Sequence, residues 1–293
     1  MLIFELLDGD SPGFMQVRQQ VSDFLVANEH KCVSLISHFK KKDVRVFYIV
    51  DERNSLWGVF SISSGGQILH CFESDTVMPF VQEFFSVNRP EKLFSIIGEQ
   101  KFTNEIAKIF LNLYGTLPKF ATEYSLMEYS RSAAEAELLN PKSDRTRIGS
   151  VTGCEVFDCK DSDFEEMFPL QKAYELEEVV IDKANYNEKN SRILLRKSIQ
   201  DGNVFGLRYN NRIVAKASIN AIGEKCIQLG GVYTDVGFRN KGLATYLIRT
   251  IITRFKKEGK QLILFVKKTN KTAENVYLNC GFIIFDEYKI IYY

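Results

Sequence analysis

Histidine is scarce in this 293-residue chain, and its placement limits the chemistry available. His30, His38 and His70 all fall in the first quarter, so the second half holds no Ser-His or Cys-His pair of its own. The six cysteines, Cys32, Cys71, Cys154, Cys159, Cys226 and Cys280, form no CxxC pair. Cys154 and Cys159 lie nearest each other, with no histidine beside them, so no zinc site is read from spacing. Scattered cysteines fit reduced thiols in a cytoplasmic protein. An excess of one charge is missing too: the formal net charge is +1, which offers nothing for a broad nucleic-acid surface. No uncharged apolar run approaches the roughly 20 residues that cross a bilayer. The opening "MLIFELLDGDSPGF" has no basic leader and reads poorly as a signal peptide. Neither metal, membrane nor nucleic acid is expected as a partner, and the oligomeric state stays open.

The composition, 45% hydrophobic and 26% charged, is that of a globular protein, and the length accommodates two domains. The expected boundary is "SRSAAEAELLNPKSDRTRIGS", polar and ending in alternating charges. This divides the chain into a domain at 1–130, a linker at 131–149 and a domain at 150–293. In the first half "VRVFYIVDE", "SLWGVFSISSGGQILHCF" and "EKLFSIIGEQ" read as strands, and "SDFLVANEHKCVSLISHF" and "NEIAKIFLNLYG" as amphipathic helices. "ATEYSLMEYS" reads as a strand that closes the sheet.

The second half reads more clearly. A strand "GCEVFDCK" precedes a helix "SDFEEMFPLQKAYELEEVV", in which Pro169 predicts a kink or a late start. A helix stopped at Gly202 follows, then a hairpin turning at Asn210-Asn211, where asparagine tolerates positive φ. Next come the strand "CIQLGGVYT", a helix through Lys257, the strand "QLILFVKK", the helix "KTAENVYLNCG" and a last strand "FIIFDEYKIIYY". Such an order predicts an α/β (α+β layered) fold of mixed sheet flanked by helices. The halves share a strand–hairpin–helix logic that suggests duplication.

Two stretches carry the chemistry. Gly230-Gly231 interrupts an apolar strand, which marks either a bulge with unpaired N–H groups or a plain distortion of the sheet. "GFRNKGLATYL" then places Arg239, Lys241 and Gly242 at the start of a helix whose apolar face runs through Leu243, Leu247, Ile251 and Phe255. A helix N-terminus offers free N–H groups and partial positive charge to a phosphate, and glycine leaves room for it. By itself the stretch reads equally as a glycine-containing loop with two solvated cations.

Together with "NKTAENVYLNCGF" these segments resemble the GNAT superfamily of acyl-CoA N-acetyltransferases over roughly residues 150 to 293. "RNKGLA" fits that family's R/Q-x-x-G-x-G/A through Arg239, Gly242 and Ala244. The later stretch fits N-x-x-A-x-x-x-Y-x-x-x-G-F through Asn270, Ala273, Tyr277, Gly281 and Phe282. The resemblance implies acetyl-CoA as co-substrate, no metal, and a small-molecule or peptide amine as acceptor. It further implies that Val232 and Thr234 offer main-chain groups to the pantetheine and thioester. Arg239, Asn240, Lys241, Gly242, Leu243 and Ala244 would cradle the diphosphate. Asn270 would bond the pantetheine, Ala273 would leave it room, and Tyr277 would be the general acid for the departing thiolate.

The sequence departs from members with a glutamate on the strand before the cradle, for "CIQLGG" has Gln228 and no carboxylate. Glu177 or Glu178, extending the helical face of Met167, Leu170 and Tyr174, read either as substitute bases, with a pKa raised if they face the cleft, or as solvated acids at a helix end. The first half has neither motif and reads as a degenerate GNAT-like or other α/β domain that lost cofactor binding and shapes the acceptor site. Two further readings stand beside acetyl transfer: a non-catalytic acyl-CoA sensor, suggested by the missing carboxylate, and a tandem aminoacyl-tRNA-dependent peptidyl transferase, against which "RNKGLA" argues.

Overall fold

The computed structural model describes residues 1–6, 12–39, 44–133, 153–180 and 183–293. The first half runs β1 (Leu2–Glu5), α1 (Pro12–Ala27), α2 (Glu29–Phe39), β2 (Val44–Val50), β3 (Leu56–Ser63), β4 (Gln67–Phe72), α3 (Met78–Val87), β5 (Ser95–Glu99), α4 (Gln100–Tyr114) and β6 (Phe120–Tyr129). The second half repeats that order: β7 (Cys154–Asp158), α5 (Phe164–Tyr174), α6 (Glu188–Gln200), β8 (Val204–Tyr209), β9 (Arg212–Ile222), β10 (Cys226–Thr234), α7 (Leu243–Lys257), β11 (Gln261–Lys267), α8 (Lys271–Asn279) and β12 (Phe282–Tyr292). Each half is thus strand, two helices, three strands, helix, strand, helix, strand. The expected mixed α/β fold is present, and so is the repeat.

Among the described residues the strands form one 12-stranded sheet, ordered β1-β2-β3-β4-β5-β12-β6-β11-β10-β9-β8-β7. Here the halves exchange their last strands. β6, from the first half, lies between β11 and β12, with Leu126 opposite Phe265. β12, from the second half, pairs with β5, with Ile290 opposite Ile97. "ATEYSLMEYS" therefore does extend the sheet, but next to strands of the other half. The polar stretch expected as linker lies, from residue 134 to 152, outside the described residues.

Local chemistry explains most elements. The Asn210-Asn211 turn has φ of 49° and 62°, which joins β8 to β9 as a tight hairpin. Residues 161–163 form a 3-10 turn and α5 follows directly from Phe164, so the late start that Pro169 suggested does not occur and the proline sits inside the helix. Leu243, Leu247, Ile248, Ile251, Ile252 and Phe255 form the buried stripe of α7, at the spacing that faces one side of a helix. Three elements were not foreseen: β1, most of α1, and α3. The stretch from 22 to 39, expected as one helix, is the end of α1 and the whole of α2. A buried carboxylate ties α2 to the second half: Glu29 accepts hydrogen bonds from the N–H of Lys225 (3.0 Å) and of Cys226 (2.7 Å).

Candidate active site

The site grows from a break between two parallel strands. β10 and β11 pair from Cys226–Gln261 as far as Leu229–Leu264 and then diverge. On its other edge β10 pairs with β9 at Gly230–Ser218 and again at Tyr233–Lys216, leaving Gly231 and Val232 of β10 facing the single residue Ala217. The glycine pair thus marks a bulge rather than a plain distortion. Gly231 sits at φ 56°, in the left-handed region, and a Cβ there would come within 2.9 Å of the Lys216 ammonium. Beyond the bulge opens a cavity of about 1380 Å³, large enough for an extended cofactor and a second reactant.

The glycine-cation loop forms one wall. Asn240 and Gly242 both adopt positive φ, 61° and 75°, which turns the backbone into α7. The first bond of that helix runs from Tyr246 N–H to the Gly242 carbonyl (3.0 Å), so the N–H groups of residues 243 to 245 have no helical acceptor. Arg239, Asn240, Gly242, Leu243 and Ala244 line the cavity; Lys241 does not. The Lys241 ammonium instead turns back to the Gly237 carbonyl (3.4 Å) and the Phe238 ring. Val232, Thr234, Asn270, Ala273 and Tyr277 share the same cavity. The two motifs, thirty residues apart in sequence, therefore meet across one space.

Several of these groups already have partners. Arg239 Nε donates to the Thr234 carbonyl (3.1 Å), occupying one of its lone pairs. Asn270 caps α8, its Oδ1 accepting from Ala273 N–H (3.0 Å), while its Nδ2 donates to Glu178 Oε1 (2.9 Å). The Thr234 hydroxyl is buried with no partner among the described residues, a polar atom left for a ligand in the cavity.

Glu177 and Glu178 lie on residues 175–179, where α5 widens into a single π turn. Glu177 accepts from Arg239 Nη2 (2.8 Å) and the Tyr233 hydroxyl (3.2 Å). The raised pKa expected here is not found at Glu177: the Arg239 guanidinium lowers it, outweighing desolvation. Glu178 faces Lys267 Nζ (3.5 Å) and Asn270, and its backbone carbonyl also accepts from Lys267. Glu178 lines the cavity together with Tyr124, Tyr174 and Tyr277. Tyr277 is 7% exposed, and burial pushes its phenol well above the ordinary range.

Two contributions escaped sequence reasoning. The wall beyond the bulge comes partly from the first half, through Phe120, Thr122 and Tyr124 of β6. No local pattern signals a strand inserted from another repeat. Lys216, fully buried in "RIVAKASI", donates to the Gly231 carbonyl (2.7 Å). A lone cation in an apolar strand was a readable signal for it.

The same place in the first half is filled. β4 and β5 pair in parallel only from Gln67–Ser95 to Leu69–Ile97. Beyond that the His70 ring packs over Gly98, where a Cβ would lie 2.3 Å from it, and meets Thr103 Oγ1 at 2.9 Å. Phe72 and Phe102 complete the plug. Where the second half has Arg239, the first has Ser74 capping a 3-10 turn that begins at Asp75, with no cation in it.

The model of the acetyltransferase (GNAT) family matches residues 164–282. No curated protein matches the chain. Among solved structures, a GNAT-family acetyltransferase from Colwellia psychrerythraea aligns over 100% of both chains, with TM-score 0.57 and 9% identity. A tandem GNAT protein from the clavulanic acid biosynthesis pathway covers 99% of this chain and 97% of its own, with TM-score 0.59 and 10% identity. A GCN5-related N-acetyltransferase from Sphaerobacter thermophilus covers 84% of this chain and 79% of its own, with TM-score 0.51 and 10% identity. At such identities the likeness speaks for the fold. Residues 164–282 thus match the acetyltransferase (GNAT) family model, and the whole chain takes a fold similar to that of a tandem GNAT protein.

Proposed function

We propose that the second half is an acetyl-CoA-dependent N-acetyltransferase whose acceptor is a small-molecule or peptide amine, and that the chain is organised as two domains with one cofactor site. One observation carries this reading: the parted β10 and β11 open directly onto the unpaired N–H groups that begin α7. An elongated thioester with a diphosphate fits that arrangement. Arg239 and the N–H groups of residues 243 to 245 would hold the diphosphate, next to Gly242. Val232, Thr234 and Asn270 would line the pantetheine arm, and the unpartnered Thr234 hydroxyl would gain a partner.

The chain's own groups then divide the work. The Val232 N–H stabilises charge developing on the thioester oxygen. Tyr277 stays protonated, because its pKa is raised, and donates a hydrogen bond to the departing sulfur. An amine near pKa ~10.4 arrives protonated and must lose a proton before attack. Glu178, set among the tyrosines, is the better placed acceptor for it. Glu177 is committed to Arg239 instead. The commitment of both carboxylates to basic partners is what favours the second reading, a non-catalytic acyl-CoA sensor.

Incubation with acetyl-CoA and a panel of amines, reading free CoA release, tests the reading. Release that depends on an amine supports it. Tight acetyl-CoA binding without release for any amine class would favour the sensor, and transfer from aminoacyl-tRNA would replace both.

A further inference from the structure

Lys216 lies outside the cavity wall, yet it is fully buried and bound to the bulge on which the site depends. Its ammonium donates to the Gly231 carbonyl (2.7 Å) and to Ser218 Oγ (3.3 Å), and lies 4.9 Å from the centre of the Tyr174 ring. Burying an amine this long is costly unless it is hydrogen-bonded. An apolar residue would fill the same space between β9 and β10 without that cost.

The geometry points to Lys216 as the positioning residue that aims the Val232 N–H at the thioester carbonyl. A peptide unit is planar and trans, so its C=O and N–H point in opposite directions. Drawing the Gly231 carbonyl toward Lys216 on the β9 side turns the N–H of Val232 to the other side. That side is the cavity, with Gly231 and Val232 on its wall. The register supports this, since neither residue is paired with β9 or β11. Without the lysine the carbonyl would lose the donor that fixes it, and the Gly231–Val232 peptide would be free to flip. Burial also depresses the pKa of Lys216, to about 8, with Cys159 and Glu175 as the charged or titratable neighbours that oppose the shift. A neutral amine still donates, so the bond survives either state.

This assignment rests on the acetyl-transfer reading, and a measurement without turnover separates the two. Infrared difference spectra of acetyl-CoA labelled with ¹³C at the thioester carbonyl report how strongly the protein polarises that bond. In the wild type the band is expected at lower frequency than in free acetyl-CoA. Lys216→Met should lose most of this shift while the calorimetric Kd for acetyl-CoA stays within about twofold, and kcat should fall about 10- to 10²-fold, as expected for a displaced oxyanion donor. Retention of the full shift in the variant, or loss of affinity in step with the shift, would overturn the assignment. Should Lys216→Met fail to fold, Lys216→Gln, one bond shorter, is read in the same way. The wild type separates the two readings by itself: binding with no shift refutes the aimed Val232 N–H, and the role of Lys216 with it, but leaves the acetyl-CoA site standing, whereas absence of binding refutes the site and this assignment together.

Discussion

The two halves repeat one order of elements and put opposite things in the same slot. Where β10 parts from β11 the second half has a glycine bulge on β10, held from the far side by a lysine buried on β9, and a loop with positive φ, and the strands open around a cavity. Between β4 and β5 it places His70, Phe72 and Phe102, and the slot becomes core. A slot of this kind is a standing loss of packing and sheet bonds. A repeat freed from ligand binding recovers that loss by filling it. The first half keeps a part in the site all the same, because its β6 forms part of the cavity wall.

The strand exchange ties the halves together, and breaking it should have the largest effect. Residues 150–293 produced alone would lack β6, removing the partner on both sides of the join with β11 and β12. That fragment is expected to be insoluble or to lack a cooperative thermal transition. A soluble, cooperatively folded fragment would show that the exchange is dispensable.

Next comes the cradle. Gly242→Asp puts a carboxylate where the diphosphate should lie, at φ 75°, which Asp tolerates better than most residues. Acetyl-CoA affinity should fall by more than about 10²-fold, roughly 3 kcal/mol, with little change in thermal stability. Unchanged affinity would remove this loop from the site. The same titration should saturate at one acetyl-CoA per chain, and a second site surviving the substitution would show that the first half binds as well.

Tyr277→Phe tests the site's chemistry at a smaller scale. A hydrogen bond to a charged group contributes about 1.5–3 kcal/mol, so kcat should fall roughly 10- to 10²-fold with KM for acetyl-CoA little changed. An unaltered kcat, with chemistry shown to limit turnover, would assign the ring to packing. A large rise in KM alone would make it a binding residue.

The plug in the first half has a signature of its own. Burial depresses the pKa of His70 from 6.5 to about 3, so the unfolded chain takes up the proton first as the pH falls. The neutral, buried form is therefore fully stabilising above about pH 6.5, and its contribution is lost as the pH drops toward 3. Between pH 7 and 5 that loss should approach about 2 kcal/mol. His70→Gln, which cannot titrate, should show a correspondingly shallower pH dependence in urea unfolding. Identical slopes would mean that His70 is not held neutral.

These contrasts were unequally legible in the sequence. "RNKGLA" and "NKTAENVYLNCGF" were legible because positive-φ turns and helix caps constrain local backbone, and local backbone is written in glycine and asparagine spacing. The Asn210-Asn211 turn was readable for the same reason. The exchange of β6 and β12 was not, since an apolar strand pairs as well with a strand of either repeat and its periodicity is blind to the choice. The sequence suggested that the first repeat lost its ligand, from the absence of a motif, but it did not show that His70 occupies the slot. Glu177 was misjudged for a further reason. Helical spacing places a carboxylate on a face, but the sign of its pKa shift depends on Arg239, 62 residues away.

That pair supplies the smallest and sharpest test. Glu177 and Arg239 are both partly exposed, at 43% and 37% of their side chains, so solvent screens the bridge and its strength should be no more than about 1 kcal/mol. In the acetyl-CoA complex the Glu177 carboxylate would lie close to a diphosphate and compete with it for the same guanidinium. Glu177→Gln keeps an acceptor for Arg239 and for the Tyr233 hydroxyl, and removes only the negative charge. Acetyl-CoA should then bind more tightly, by at most about fivefold at low salt, with the gain shrinking as ionic strength rises. Glu178→Gln, made in parallel, should lower kcat without tightening binding, because Glu178 faces the tyrosines and Lys267 rather than Arg239. Weaker acetyl-CoA binding in Glu177→Gln would mean that the carboxylate's main effect is to hold Arg239 in place, and a kcat loss matching that of Glu178→Gln would return Glu177 to the list of bases.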